Sequence, residues 1–222
     1  ARTPLDTTFD SLRTAGVQDL VIDLRYNGGG LVSVAQRLAS YVAAARTDGR
    51  IFASLLYNDR KSSSQDEDVR FDRPSAALNL QRVYVLTGPR TCSASELVVN
   101  GLKPFVQVVT VGATSCGKPV GFRPVSRCDT TFSVVNFESV NADRQGRYFD
   151  GVAASCAVDD DFSTPLGSPD EPLLAAARQH ADSGRCVAAA GAAPRMQAQG
   201  VRWGDGRGAV RDGDERAGMW VR

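Results

Sequence analysis

The residues best suited to catalysis are Ser93 and Lys118, which lie 25 positions apart (118 − 93) in the segments 91–96 and 114–118. A serine hydroxyl is a weak nucleophile and needs a neighbouring base to remove its proton. The single histidine, His180, lies far along the chain in a polar helical segment, so a Ser-His-Asp arrangement is poorly supported. Lysine is the remaining amine base, and the pair indicates a serine nucleophile activated by Lys118.

Lys118 can act as a base only in its neutral form. Its pKa must therefore fall from about 10.4 by about 3 pH units, a differential cost of about 4 kcal/mol. Burial is the usual cause of such a change. The neighbours Gly117, Pro119, Val120 and Phe122 form an apolar setting that suits this requirement.

A triple glycine upstream, Asn27-Gly-Gly-Gly30, follows an apolar strand and resembles an oxyanion pocket. We expect the N–H group of Gly29 to be one oxyanion donor, with Gly28 and Gly30 shaping the loop. Losing one such donor typically costs about 100- to 1,000-fold in rate. Glycines often serve only tight turns, so this motif is weak evidence by itself.

Ser93 also has a purely structural explanation. Ser93 and Glu96 have the spacing of a capping box, in which serine caps a helix and glutamate reaches back to it. The same turn aims the N–H group of Ala94 at an incoming carbonyl oxygen, and the helix N-terminus favours negative charge there. The two roles are compatible, with Ala94 as the second oxyanion donor and Glu96 holding the turn.

A rival motif overlaps the lysine. Gly112-Ala-Thr-Ser-Cys-Gly-Lys118 satisfies the first seven positions of a phosphate-binding P-loop and follows the apolar strand 106–111. The eighth position is Pro119, which has no hydroxyl for magnesium, and residues 120–124 make a poor helix start. The sequence therefore does not favour nucleotide binding.

Composition limits the classes of function. The chain has 222 residues, 42% of them hydrophobic, which predicts one domain over 1–186 followed by an Ala/Gly/Arg-rich tail over 187–222. Twenty-six basic against 25 acidic residues give a charge of +1 without a basic stripe, so a nucleic-acid partner is not expected. No apolar run is long enough to span a bilayer. The chain starts at Ala1 as though cut from something longer, so that any export signal or upstream domain would be lost from view.

The five cysteines lack CxxC spacing and have one histidine to help them, so neither a zinc site nor another metal is expected. Disulfides in an oxidising compartment fit better, although buried free thiols are an alternative. We predict Cys92–Cys116, which would hold the two presumed catalytic loops together and stabilise by about 3 kcal/mol in the chain-entropy model. Our second pairing is Cys128–Cys156, which leaves Cys186 unpaired.

Helices and strands alternate along the first two thirds of the chain. Hydrophobic periodicity and turn residues predict helices over 5–12, 31–48, 93–102 and 171–181 and strands over 19–24, 51–57, 82–87 and 106–111. Residues 61–68 are predicted as a polar surface loop. Beyond Lys118 the pattern changes to β, with strands at 131–137 and 147–149. This order indicates an α/β domain with a largely parallel sheet flanked by helices, plus a smaller β-rich C-terminal part.

Three motifs taken together resemble the carboxy-terminal processing proteases, also called tail-specific proteases. They are the segments 19–30, 83–96 and 111–118, and the resemblance covers about residues 5–180. It implies a fold like that of the crotonase and Clp protease superfamily. It also implies an extracytoplasmic serine endopeptidase that acts on protein or peptide substrates without a cofactor.

By position, the resemblance makes Ser93 the nucleophile, Lys118 the general base, and Gly29 with Ala94 the oxyanion donors. Members of this family often select apolar C-terminal tails with a PDZ domain, which would lie upstream of Ala1 if present. Some members have a glutamine four residues after the lysine and an acidic residue eleven after the serine. These positions are Phe122 and Pro104 here, which indicates a Ser-Lys dyad in a divergent branch.

Two other classes of function fit the same fold. A non-catalytic binding module for apolar ligands would resemble the retinoid-binding modules of the photoreceptor matrix, but it has no need for Ser93 with Lys118. A crotonase-like acyl-CoA enzyme would use the glycine loop for a thioester oxyanion, and it too has no evident use for the pair.

Overall fold

The carboxyl ends of four parallel strands build the edge at which the sequence places its reactive residues. In this computed structural model, which describes residues 2–186 and 219–220, the strand order is β1–β5–β6–β11. All three pairings are parallel. The strands are β1 (Val21–Asp23), β5 (Arg82–Thr87), β6 (Gln107–Gly112) and β11 (Cys156–Ala157). β5 and β6 are apolar nearly throughout, as expected for parallel strands covered on both faces.

A second, mixed sheet has six strands in the order β2–β12–β7–β10–β3–β4. β12 runs parallel to both of its neighbours, and the other pairings are antiparallel. A separate hairpin joins β8 to β9. The strands are β2 (Gly30–Leu31), β3 (Ile51–Leu56), β4 (Glu67–Arg70), β7 (Val120–Phe122), β8 (Val125–Arg127), β9 (Thr130–Phe132), β10 (Phe137–Val140) and β12 (Met219–Trp220).

Helices cover both faces of the parallel sheet. Every residue of α5 is buried, because this helix packs between the two sheets. Alternate residues of β5 serve different cores: Val83 and Val85 face α5, whereas Tyr84 and Leu86 pack with α6. The helices are α1 (Arg2–Thr14), α2 (Val32–Ser40), α3 (Ala44–Thr47), α4 (Ser62–Gln65), α5 (Ala94–Leu102) and α6 (Pro172–Ser183).

The predicted α/β fold is confirmed, with β1, β5 and β6 and the helices α1, α5 and α6 close to their expected positions. The helix predicted over 31–48 is instead divided into α2 and α3, because the carbonyls of Tyr41 and Val42 accept hydrogen bonds from the segment 78–80. The strand predicted over 51–57 forms as β3 of the mixed sheet. The prediction of a polar loop over 61–68 is wrong. Residues 61–68 contain α4 and the start of β4, because the acidic side chains of this segment accept hydrogen bonds from Ser54 in β3 and from the N–H of Tyr57 directly after β3. The sequence is polar there since its outer side faces solvent.

The predicted β-rich part also differs in detail. β9 ends at Phe132 and β10 begins at Phe137, so the strand expected over 131–137 is divided. No strand forms at 147–149, since Arg147 has a φ of +58° and its carbonyl accepts from the N–H of Phe149 in a turn. The predicted loosely packed tail over 187–222 lies outside the described residues except for β12, and the division at residue 186 stays a prediction.

One of the two predicted disulfides is correct. Cys92 and Cys116 are bonded, with their Cα atoms 5.2 Å apart. The second prediction is wrong, because Cys156 is bonded to Cys186 and Cys128 is a free, exposed thiol. Cys128 and Asp129 form the two-residue turn of the β8–β9 hairpin, both with positive φ, and this turn holds Cys128 out in solvent. Within the described residues, no helix combines the length and apolarity needed to cross a membrane.

Candidate active site

Ser93 occupies the sharp turn between β5 and α5. Its backbone has φ 58° and ψ −115°, a conformation that residues other than glycine rarely adopt and that costs about 1–3 kcal/mol. The side chain is fully buried, and its Oγ faces the N–H of Glu96 in the position of a capping box but makes no hydrogen bond within the ordinary distance and angle limits. A serine that only capped its helix would donate or accept with Oγ. Strain and an unused hydroxyl at a strand-to-helix turn are typical of a positioned nucleophile.

Glu96 organises the two loops that carry Ser93 and Lys118. Its carboxylate is fully buried and accepts hydrogen bonds from the main-chain N–H groups of Ser93, Gly117 and Lys118, each at 2.8 Å. The Ser115 hydroxyl donates a fourth at 2.5 Å. Ser93 and Lys118 use the same carboxylate oxygen, so their main-chain nitrogens are at most about 5.6 Å apart, twice the bond length. The expected role of Glu96 in holding the turn extends to the lysine loop.

The Cys92–Cys116 disulfide joins the same two loops covalently. A backbone hydrogen bond of 3.0 Å from the N–H of Cys116 to the carbonyl of Thr91 runs beside it. The lysine loop is thus held by the disulfide, by Thr91 and by Glu96. This redundancy fixes the main chain of Lys118 relative to that of Ser93.

The surroundings of the Lys118 amine favour its neutral form. Burial lowers the pKa of Lys118 from its usual range, and the negative charge of Glu96 acts in the opposite direction. Lowering the pKa increases the neutral fraction of the amine at a given pH. The predicted direction of the shift is therefore present in the structure.

The glycine loop lies directly against Ser93. A Cβ placed on Gly29, whose φ is +113°, would come within 2.9 Å of Ser93 Cβ and 3.1 Å of the Ala94 nitrogen, so only glycine fits there. Gly28 and Gly30 complete the loop, and Gly30 begins β2. The predicted donor residues Gly29 and Ala94 are thus brought together beside the serine.

Asn27 and Ser95 fasten this loop to the serine turn. The Ser95 hydroxyl lies 2.7 Å from Asn27 Oδ1, and the N–H of Cys92 donates to the Asn27 carbonyl at 3.1 Å. The N–H of Gly29 also donates to Asn27 Oδ1, at 3.0 Å. Sequence reasoning missed the individual roles of Asn27, Ser95 and Ser115. The one available signal was the preference of asparagine for turns that bond its side chain to the N–H two residues on.

The P-loop alternative is incompatible with the structure. A phosphate-binding loop must lead into a helix and direct its N–H groups at the phosphate. Here the N–H groups of Gly117 and Lys118 bind Glu96, and the chain continues as the strand β7. A protein carboxylate thus occupies the position that a phosphate would need.

His180 is not part of this site. It lies in α6, where Nδ1 is 3.1 Å from the Tyr84 hydroxyl on the face of the parallel sheet away from α5. Phe122, at the position where some relatives have glutamine, is the last residue of β7. In the described part of the chain, two side-chain groups have the spacing of metal ligands, Cys92/Glu96/Cys116 and Cys156/His180/Cys186. Each contains a disulfide, whose sulfurs are not the thiolates that bind metals.

Together the fold and the site describe an α/β protein that presents a strained serine, a glycine loop and a half-buried lysine at the edge of a parallel sheet. Residues 1–152 match peptidase family S41. The match spans more than half of the chain, and the protein belongs to peptidase family S41. The resemblance to the carboxy-terminal processing proteases is thereby confirmed at the level of the family.

Solved structures agree with this assignment. A Bacteroides fragilis protein assigned to the S41 proteases is 30% identical, with a TM-score of 0.74 over 82% of this chain and 49% of that one. The photosystem II D1 C-terminal processing protease is 21% identical, with a TM-score of 0.58 over 71% of this chain and 39% of that one. A peptidase structure from Parabacteroides merdae is 21% identical, with a TM-score of 0.52 over 81% of this chain and 56% of that one.

The likenesses at 21% identity show the shared fold. This chain spans about half or less of the first two structures. No curated protein matches it.

Proposed function

We propose that this protein is a serine endopeptidase in which Ser93 is the nucleophile and Lys118 the general base. The observation that carries the proposal is the Glu96 carboxylate, which binds the main-chain nitrogens of both residues through one oxygen. The strained backbone and unused hydroxyl of Ser93 add to it. A module that only bound ligands would gain nothing from this strain.

In the proposed reaction, Ser93 Oγ attacks the carbonyl carbon of a peptide bond while the neutral Lys118 amine takes the hydroxyl proton. The lysine then returns that proton to the leaving amine as the C–N bond breaks. Water, deprotonated by the same amine, hydrolyses the acyl-enzyme and restores Ser93. Each proton removed is given back, so the cycle needs no external acid or base.

The N–H groups of Ala94 and Gly29 are the proposed oxyanion donors. Ala94 is the first residue of α5, where helix N–H groups lack intrahelical partners and the helix dipole favours negative charge. The N–H of Gly29 is bonded to Asn27 Oδ1. Donation from Gly29 to a substrate therefore requires exchange of this hydrogen bond.

Protein or peptide chains are the proposed substrates, with cleavage near their C-termini as in the processing proteases. The two disulfides suit an oxidising compartment, and we place the protein outside the cytoplasm, in the periplasm or cell envelope. A PDZ domain upstream of Ala1 is the proposed means of tail selection, as in the carboxy-terminal processing proteases.

Peptide hydrolysis by matched variants tests the proposal. Ser93→Ala and Lys118→Ala are each expected to lower kcat/KM by about 1,000-fold or more, because each removes a group that acts on the reacting atoms. Ser64→Ala, on the exposed α4, and Lys103→Ala, which alters an exposed lysine directly after α5, are the controls and should keep activity.

Activity that survives Ser93→Ala or Lys118→Ala would remove the dyad. An unmodified protein that is folded, binds apolar ligands and hydrolyses no peptide would instead favour the binding module. Circular dichroism of each variant separates loss of chemistry from loss of fold.

A further inference from the structure

The strand β12 lies in an unusual place for a segment so far along the chain. It is inserted between β2 and β7 and runs parallel to both. Met219 pairs with Gly30 on one side and Gly121 on the other, and Trp220 pairs with Leu31 and Phe122. β2 and β7 therefore do not pair with each other but are joined through this segment.

Both neighbours of β12 belong to the candidate active site. β2 begins at Gly30, directly after Gly29, which lies against Ser93. β7 begins at Val120, two residues after Lys118. The strand thus passes beside the glycine loop on one side and the lysine loop on the other.

Without β12, the edges of β2 and β7 would face each other across the width of one strand. Adjacent strands lie about 4.8 Å apart, so these edges are about 9.6 Å from each other. Each edge presents N–H and C=O groups that need a partner. Such a slot has the dimensions and the hydrogen-bonding groups that recognise an extended peptide by strand addition.

We infer that the slot between β2 and β7 is the peptide-binding channel and that the segment around Met219–Trp220 is its resident occupant. A peptide in trans enters by displacing β12, with its direction parallel to β2 and β7. This inference rests on the proposed function for its catalytic consequence, but the binding slot itself is testable without catalysis.

Proline substitutions remove the occupant's N–H donors. In Met219→Pro/Trp220→Pro the strand cannot pair with its neighbours. The KM for a peptide substrate should then fall about 3- to 30-fold with kcat unchanged, because the open channel no longer has to be freed first. The matched control is Ala209→Pro/Val210→Pro, which makes the same change elsewhere in the tail and should behave as the unmodified chain.

Amide hydrogen exchange measures the slot independently of activity. In a Ser93→Ala background, the double proline variant should exchange the amides of 30–31 and 121–122 at least about tenfold faster than its control. A synthetic peptide with the sequence of residues 216–222, RAGMWVR, should restore protection. The peptide RAGPPVR, with proline at the two paired positions, should not.

The outcomes test the binding slot and the peptidase function separately. Unchanged KM and unchanged exchange in the proline variant would overturn the inference. A lower unfolding temperature with protection that the peptide fails to restore would also overturn it, since β12 would then be a structural strand. Restored protection without hydrolysis by any variant would support the slot and reject the peptidase proposal.

Discussion

Glu96 and Glu171 are both fully buried carboxylates, and their negative charges are stabilised in different ways. Glu96 accepts hydrogen bonds from neutral donors, the N–H groups of Ser93, Gly117 and Lys118 and one hydroxyl. Glu171 caps α6 and pairs with the guanidinium of Arg25, whose Nη1 lies 2.6 Å away.

The difference indicates different roles: Glu96 positions main-chain atoms of the site, whereas Glu171 joins elements of the fold. A carboxylate held by backbone N–H groups fixes the positions of main-chain atoms. An ion pair that bridges β1 and the start of α6 joins two elements of the fold. Each carboxylate also has a disulfide in its region, Cys92–Cys116 beside Glu96 and Cys156–Cys186 beside α6.

The largest expected contrast is between removal of the two carboxylates. Glu96→Ala leaves four buried donors without an acceptor and frees both loops, so kcat should fall at least about 100-fold, the cost of a displacement of about 1 Å. Glu171→Ala removes the cap of α6 and one of the three carboxylates that pair with the buried Arg25, while Asp23 and Asp160 remain. It should cost about 1–3 kcal/mol of unfolding free energy, with kcat per folded molecule unchanged. Urea unfolding and peptide kinetics on the same preparations measure both quantities. Retained kcat in Glu96→Ala would contradict the positioning role.

The disulfides should show a weaker form of the same contrast. Removing either bridge by paired Cys→Ala changes should lower stability by about 3 kcal/mol, because the closed loops have similar sequence separations of 24 and 30 residues. Only Cys92→Ala/Cys116→Ala should also lower kcat, by about tenfold, since Glu96 still holds the lysine loop. Equal kinetic effects of the two pairs would show that the first bridge has no special relation to the site. Thermal unfolding and kinetics under identical buffer conditions decide this.

The smallest effect concerns pH. Burial lowers the pKa of both Lys118 and Lys103, but only Lys118 lies in the site. The base acts when neutral, so kcat/KM should rise with pH through the pKa of Lys118, and this acidic limb should lie below the ordinary lysine value of about 10.4. Lys103→Met is the matched control and should leave the limb in place. If the acidic limb shifts in Lys103→Met, it reports the titration of Lys103 and not that of Lys118.

Much of the site could be predicted because its parts are local in sequence. The spacing of Ser93 and Glu96 predicts a capped helix, and the capping glutamate is found where it is expected. The apolar run 82–87 predicts β5 at the bounds that the structure gives it. The proximity of Cys92 to Ser93 and of Cys116 to Lys118 was enough to choose the correct first disulfide.

Contacts between distant segments could not be predicted in the same way. Asn27 and Ser95 are 68 residues apart, and no periodicity announces their hydrogen bond. The second disulfide was wrongly assigned because the hairpin turn at Cys128 and the return of the chain at Cys186 both depend on tertiary packing. The pairing of β12 with β2 and β7 likewise has no local signal.

The order of residues is enough to identify the reactive groups and their local settings: a serine at a helix start, a lysine in an apolar loop and a flexible glycine bend. The three-dimensional fold alone shows that Glu96 holds both the serine loop and the lysine loop, that Cys186 reaches Cys156, and that a distant strand lies between β2 and β7. The physical reason is range. Caps, turns and hydrophobic periods act over a few residues, whereas the partner of a buried donor or a free strand edge is whichever part of the chain the fold brings to it.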